Sequence, residues 1–396
     1  MTQTKAQEER WVRGSGSFNL RRSGSFALTL GGIVTRGQGF ALHLRILLTV
    51  VAVCLPLVAC APSVASKQAE IHDSIDVWSV ALSPDGQHLA VSSPDYEEVH
   101  VWQWRDKTPR IVQKLQQGGG GQLDGLRFSR DGKFLAGAHG TGKENQIVRI
   151  WSGETWVQAG DIAEPKAGAF PLTIAHIEFT PETKFLVRVS PGGWLMDGTT
   201  KVILDSFAVY DTNTWSRVWA LATQPVLADA LALSSDGRFA AVAGMERFER
   251  EGVPHLQAKL FLIDLTEKRI VFAGEVLPTD CMVQFVAWSP DGHRIAIGGD
   301  PGESPTPLPA LETFDVDAQR GIKIYPSRGH MTALNYSEDG KYLLVGWLIE
   351  GVEIWDAAHT KLLQRISGRV TAARFSGDGR HLATAIDGDV TIWDMK

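Results

Sequence analysis

The sequence predicts an all-β chain folded as a seven-bladed β-propeller, its ring closed by an N-terminal strand, and three observations carry that prediction. A short turn phrase returns seven times, an alternating apolar strand follows each copy, and the last copy ends one strand short of a blade. The phrase first reads Leu82-Ser83-Pro84-Asp85-Gly86 and next Phe128-Ser129-Arg130-Asp131-Gly132. It continues as Phe179-Thr180-Pro181-Glu182-Thr183, Leu233-Ser234-Ser235-Asp236-Gly237 and Trp288-Ser289-Pro290-Asp291-Gly292. Tyr336-Ser337-Glu338-Asp339-Gly340 and Phe375-Ser376-Gly377-Asp378-Gly379 complete the set. Copies fall roughly 40 to 55 residues apart, the period of a four-stranded blade rather than of a helical repeat.

Each phrase has local chemistry. Asp-Gly admits the positive backbone angles of a tight hairpin, and alternation with period two sends one side of each strand into a core. The strand further on in each copy ends in an apolar residue, usually aromatic, and then a turn-forming acid: Val101-Trp102, Ile150-Trp151, Tyr210-Asp211, Ile263-Asp264, Val316-Asp317, Trp355-Asp356 and Trp393-Asp394. In the first two copies the acid is missing, yet the phase holds.

On these residues the chain resembles the WD40-repeat family of seven-bladed propellers, whose repeats end in a Trp-Asp pair. Trp355-Asp356 and Trp393-Asp394 match that pair in full, and the resemblance runs from about Ile71 to Lys396. Family members often carry Gly-His before the first strand of a blade, and only Gly329-His330 preserves it here. The buried His-Asp-Ser/Thr-Trp network of the family is therefore not assumed, and apolar packing is expected to hold most blades together.

The last copy stops at Lys396, after the third strand of its blade. A segment from Lys67 to Ser74, containing Ile71, is long enough to supply the fourth, which the resemblance also implies. An open sheet edge would otherwise invite association.

Hydrophobic residues make up 44% of the chain, charged residues 21%, and the formal net charge is −6. Lys and Arg are scattered among acids, without a basic block, which argues against a nucleic-acid partner. Residues 67–396 are expected to form one propeller, preceded by a leader and signal peptide over 1–59 and a short tether over 60–66. The apolar run Ile46 to Leu55 follows Arg36 and Arg45 and is too short to span a bilayer comfortably. Leu57-Val58-Ala59-Cys60 then resembles the lipobox of bacterial lipoproteins. That resemblance implies cleavage before Cys60, lipidation of its thiol, and a protein anchored outside the cytoplasm in the cell envelope, at the outer membrane if the cell is Gram-negative. The tether reaches at most about 25 Å, so a protein partner is expected near the membrane. Of three cysteines, only Cys281 remains in the folded domain, which excludes an internal disulfide and suits a small core residue. The chain is read as a monomer.

Between the second and third strands, copies three to five expand by roughly ten residues, beyond what a hairpin needs. These connections share one face of a propeller, and loops on a rigid scaffold commonly bind partners. Trp194 and Met196 in the third copy, Arg247, Phe248 and Arg250 in the fourth, and Pro305, Pro307 and Pro309 in the fifth are the candidate partner-binding residues.

A catalytic propeller would instead gather polar groups at a mouth of the central channel. The starts of the innermost strands place Asp76, Asp124, His176, Asp229 and His330 there, a set with oxygen and nitrogen ligands that would suit a metal in a lactonase-like hydrolase. No pair shows a metal or acid-base spacing, and no nucleophile elbow, phosphate loop, dinucleotide fingerprint or His-Glu-x-x-His occurs. The reading is therefore a binding scaffold without catalytic residues or cofactors.

Overall fold

The computed structural model describes residues 63–396 apart from 73–75, 95–97, 107, 117–121, 142–146, 164–175, 191–192, 198–199, 224–226 and 301–308. The expected leader and signal peptide, Cys60, Pro305 and Pro307 lie outside the described residues. Among the described residues the chain forms seven four-stranded antiparallel sheets and one separate two-stranded hairpin. It is an all-β, seven-bladed propeller. The innermost strands of blades 1 to 7 are Ser79–Leu82, Gln122–Phe128, His176–Phe179, Leu227–Leu233, Met282–Trp288, Met331–Tyr336 and Val370–Phe375.

The turn phrase is a hydrogen-bonded bracket. In blade 1 the Ser83 hydroxyl donates to Asp85 Oδ1 at 2.5 Å, while the same hydroxyl accepts from His88 N and the same carboxylate from Gln87 N. Ser129, Ser234, Ser289, Ser337 and Ser376 repeat the hydroxyl-to-Asp bond. Gly86 sits at φ 64°, in the left-handed region that the last position of this turn demands. In blade 3 Thr183 takes that position at φ 58°, a strained choice for a β-branched residue. The acid that ends the third strand caps the next turn in the same manner: Asp264 Oδ1 accepts from Thr266 N and Glu267 N, and Asp211 Oδ1 from Asn213 N and Thr214 N.

Ala65–Ile71 pairs antiparallel with Asp389–Met395, from Ala65 opposite Met395 to Ile71 opposite Val390, and is the fourth strand of blade 7. It starts two residues before Lys67, so Ala65 and Ser66 of the segment read as tether belong to the sheet. Ile71, 1% exposed, packs among Val390, Ile392, Leu89 and Val91. Ala65 packs with Leu382 and Phe375 on the side of blade 6.

Most blade interiors are apolar, but blade 6 contains a buried carboxylate. Glu353 Oε2 accepts from the indoles of Trp347 at 3.3 Å and Trp355 at 3.1 Å. Its other oxygen pairs with Arg328 at 3.1 Å and with Arg365. Blade 7 holds a fragment of the family network, with Trp393 Nε1 donating to Thr384 Oγ1 at 2.9 Å.

Ile71→Ala should lower stability by about 2–4 kcal/mol, because a filled site between the closing blade and blade 1 is emptied. Urea unfolding of the two proteins checks this, and Ala replacement of the exposed Ile322 should cost far less.

The candidate interaction face and the central channel

Alternation within each blade sorts its connections onto two faces. First-to-second and third-to-fourth turns share one face, here the turn face. Second-to-third connections and blade-to-blade crossovers share the opposite one, the loop face.

On the loop face, the expected loop of blade 4 is instead a continuation of the sheet. Its second and third strands, Phe239–Arg250 and Val253–Asp264, stay paired over their whole length, with Arg247 opposite Leu256, Phe248 opposite His255 and Arg250 opposite Val253. Glu251 and Gly252, at φ 55° and 78°, make a two-residue turn whose twist suits a hairpin. The alternating charges read as a solvated loop tip are thus the outer rows of a β-arm. Lys259 pairs with Glu246 at 3.2 Å and Glu275 at 3.1 Å at its base.

The arm is braced by the crossover to blade 5. Asp280 Oδ1 accepts from Leu256 N at 3.0 Å, Asp280 Oδ2 contacts His255 Nδ1 at 2.9 Å, and Gln257 Nε2 donates to the carbonyls of Val276 and Leu277. The Phe248 ring stacks on His255 at 5.5 Å and is half-buried, whereas Arg247 and Arg250 are exposed.

In blade 3 the expected insertion forms the separate hairpin, Gly193–Asp197 with Thr200–Leu204. Trp194 lies opposite Ile203 and Met196 opposite Lys201. In blade 5, Pro309 begins the third strand, Pro309–Asp315. The sequence reading missed exposed apolar residues toward the same face in other blades: Trp78, Met282 and Ile349, the last 79% exposed. Ile349 was legible in principle, since it lies in the short turn Leu348-Ile349-Glu350 between two strands. Trp78 reads as core from its neighbours, because Val77 and Val80 beside it are buried.

The channel-mouth set is not brought together. Asp76 faces Arg369 at 3.6 Å, His330 Nδ1 is 2.7 Å from Asp300 Oδ2, and His176 Nδ1 lies 3.1 Å from the Asp229 carbonyl. Asp124 is placed in the inner strand of blade 2, its side chain outside the described residues. Among the described residues, no group of three or more His, Cys, Asp or Glu is arranged to hold a metal. The candidate ligands sit on different blades around a ring, and Asp76 and His330 pair with Arg369 and Asp300 rather than with a common centre.

Cys281 is fully buried in the largest core cluster, and burial, with the Asp300 charge, pushes its thiol up to about 12. A thiol in that state is not a nucleophile at neutral pH.

This arrangement defines a rigid repeat scaffold with an elaborated face. A family model described as "WD domain, G-beta repeat" matches residues 67–102 and 360–394. The first match contains most of the closing strand and three strands of blade 1, and the second contains the last strand of blade 6 and three of blade 7. The chain is a seven-bladed propeller with WD40 repeats.

It is similar to Protein HIR1 of Kluyveromyces lactis, 24% identical over 259 residues that cover 57% of this chain and 27% of that protein. Protein HIR1 of Yarrowia lipolytica is 23% identical over 258 residues, 56% of this chain and 23% of that protein. The guanine nucleotide-binding protein subunit beta of Solanum tuberosum is 26% identical over 125 residues, 28% of this chain and 31% of that protein. The chain thus spans less than a third of the length of these curated relatives.

Two channel groups titrate far from their ordinary ranges. Burial raises the Asp229 carboxyl from 3.8 to about 7, and burial together with the Arg127 charge lowers His176 from 6.5 to about 4. Between about pH 4 and 7 the unfolded chain has released a proton from Asp229 that the folded chain keeps, so Asp229 costs stability as pH rises through that window. His176 has the opposite sign: the unfolded chain takes up its proton between about pH 6.5 and 4, so the contribution is lost as pH falls. Asp229→Asn should therefore stabilise the protein by about 1–2 kcal/mol more at pH 8 than at pH 4, a figure reduced for partial solvent access. Urea unfolding at both pH values measures it, and an equal effect at the two would contradict the assignment.

Proposed function

We propose that the protein is an interaction scaffold of the cell envelope, lipid-anchored through Cys60 outside the cytoplasm, which docks a protein partner on its loop face through blades 3 to 5. The single observation that carries this reading is the braced β-arm of blade 4, a twelve-residue strand pair held out with Arg247 and Arg250 exposed on a fixed frame. An arm that is already ordered loses little entropy on docking, and arginines and aromatics are the side chains that dominate interface energies. The neighbouring hairpin with Trp194 and Met196, and Pro305, Pro307 and Pro309 of blade 5, would extend the same contact. WD40 propellers are general scaffolds for protein interaction, which supports a protein as the partner class; HIR1 and the guanine nucleotide-binding subunit carry that likeness but name no partner for this chain. Anchoring rests on the lipobox resemblance alone. The scaffold acts as a monomer, and no cofactor enters this function.

The partner should be recovered from detergent-solubilised membranes by the chain beginning at Ala61 and lost with the Trp194→Ala/Phe248→Ala double variant. Recovery unchanged in the double variant would move the contact elsewhere. Separately, Cys60→Ser should abolish incorporation of a labelled fatty acid in cells; labelling that persists would reject the anchor without touching the scaffold reading.

A further inference from the structure

The opposite, turn-face end of the channel carries a charge arrangement that the scaffold reading does not use. The residue immediately before each turn phrase lines the channel near this end, and its identity differs around the ring. Blades 1, 4 and 5 contribute only Ala81, Ala232 and Ala287, whereas Arg127, Glu178, Asn335 and Arg374 come from blades 2, 3, 6 and 7. The alanines leave space, and the channel cavity measures about 310 Å³.

Asn335 is committed to the backbone of the next blade: Nδ2 donates to the Ala373 carbonyl at 3.2 Å, and Oδ1 accepts from Phe375 N at 3.1 Å. Both guanidiniums then converge on one oxygen. Arg127 Nε is 3.2 Å and Arg374 Nη2 is 3.4 Å from Glu178 Oε2, the second pair spanning the channel from blade 7 to blade 3. Three residues further along, Arg130 and Glu338 form a second cross-channel pair at 3.3 Å, from blade 2 to blade 6. The throat thus contains three guanidiniums and two carboxylates.

The three guanidiniums differ in enclosure, Arg374 and Arg130 being 31% and 48% exposed. Arg127 is 11% exposed, and burial and then the charge of Arg374 lower its affinity for a proton, to a pKa of about 10. A partly desolvated cation without a full counter-charge is unfavourable, and an incoming anion would relieve it. Guanidinium groups are suited to this, since their planar donor pairs fit the two oxygens of a carboxylate or phosphate.

We propose that the throat binds a small-molecule oxyanion, a carboxylate or phosphate, which enters from the turn face and is held by Arg374 and Arg127 with Arg130 at the rim. Glu178 occupies the site in its absence, as an internal carboxylate that the ligand partly displaces. The cavity volume suits a small molecule rather than a folded segment.

Isothermal titration calorimetry in low-salt Tris chloride, with inorganic phosphate and with succinate as probes, tests the site. At least one probe should bind the propeller saturably with one site per chain, and comparison of the two identifies which oxyanion is preferred. Arg374→Ala should weaken that binding roughly tenfold or more, and Glu178→Gln, which removes the internal competitor, should tighten it several-fold. The affinity should fall as sodium chloride is added. Absence of saturable binding by the unaltered protein with either probe overturns the proposal. So does an affinity that Glu178→Gln leaves unchanged or weakens, an outcome readable even if Arg374→Ala fails to fold.

Discussion

The pairing of Ala65–Ile71 with Asp389–Met395 is the contact on which the rest of the ring depends. The ladder hydrogen bonds of each propeller sheet run within that sheet, so neighbouring blades meet chiefly through side chains. The closing strand alone ties the two ends of the propeller by a backbone ladder. It also serves two interfaces. A bulge between Lys67 and Ala69 shifts the strand by one residue, which reverses the side on which later side chains fall. Ala65 consequently packs toward blade 6 while Ala69 and Ile71 pack toward blade 1. A regular strand would have sent Ala65 and Ile71 to the same side and left one of the two interfaces without its residue.

The architecture was legible in the sequence because the repeated residues act locally. Each Ser and Asp of the turn phrase closes hydrogen bonds within five residues, and the acid after the third strand does the same within its own turn. Such contacts leave a mark at a fixed spacing. The β-arm was harder to read: Met245 to His255 holds alternating charges that suit a solvated loop, and the pairing that makes it a sheet is visible only once Glu251-Gly252 is known to reverse the chain. Glu353 was invisible for another reason. Its partners Trp347, Trp355, Arg328 and Arg365 come from several strands and from the crossover before blade 6, and nothing in the spacing of an acid within an apolar strand announces two indoles and two guanidiniums around it.

Polar groups at the axis follow a rule of their own. The inner edge of every blade presents backbone groups that no neighbouring strand pairs, and these must find partners or water. Several axial side chains are spent on this work: the Ser79 hydroxyl accepts from Leu126 N, Asn335 spans two backbone groups of blade 7, and His176 contacts the Asp229 carbonyl. A channel lined by His, Asp and Asn therefore looks like a site in the sequence while much of it is scaffold. This accounts for the scatter of the expected metal ligands: Asp76 is engaged with Arg369 and His330 with Asp300.

What remains after that subtraction is informative. Arg127, Glu178 and Arg374 are not used to satisfy a neighbouring edge in the manner of Asn335; apart from the bond from Arg127 to the Leu126 carbonyl, their described bonds are to one another. Arg374 and Glu178 are separated by 196 positions and three blades, so their meeting is a property of the closed ring rather than of any repeat. The inner strands, about 13–23 Å long for four to seven residues, hold this throat apart from the loop face. The two proposed binding surfaces, on opposite ends of the same short strands, could be occupied without steric conflict. Any coupling between them would have to pass along the inner strands, which join the two faces.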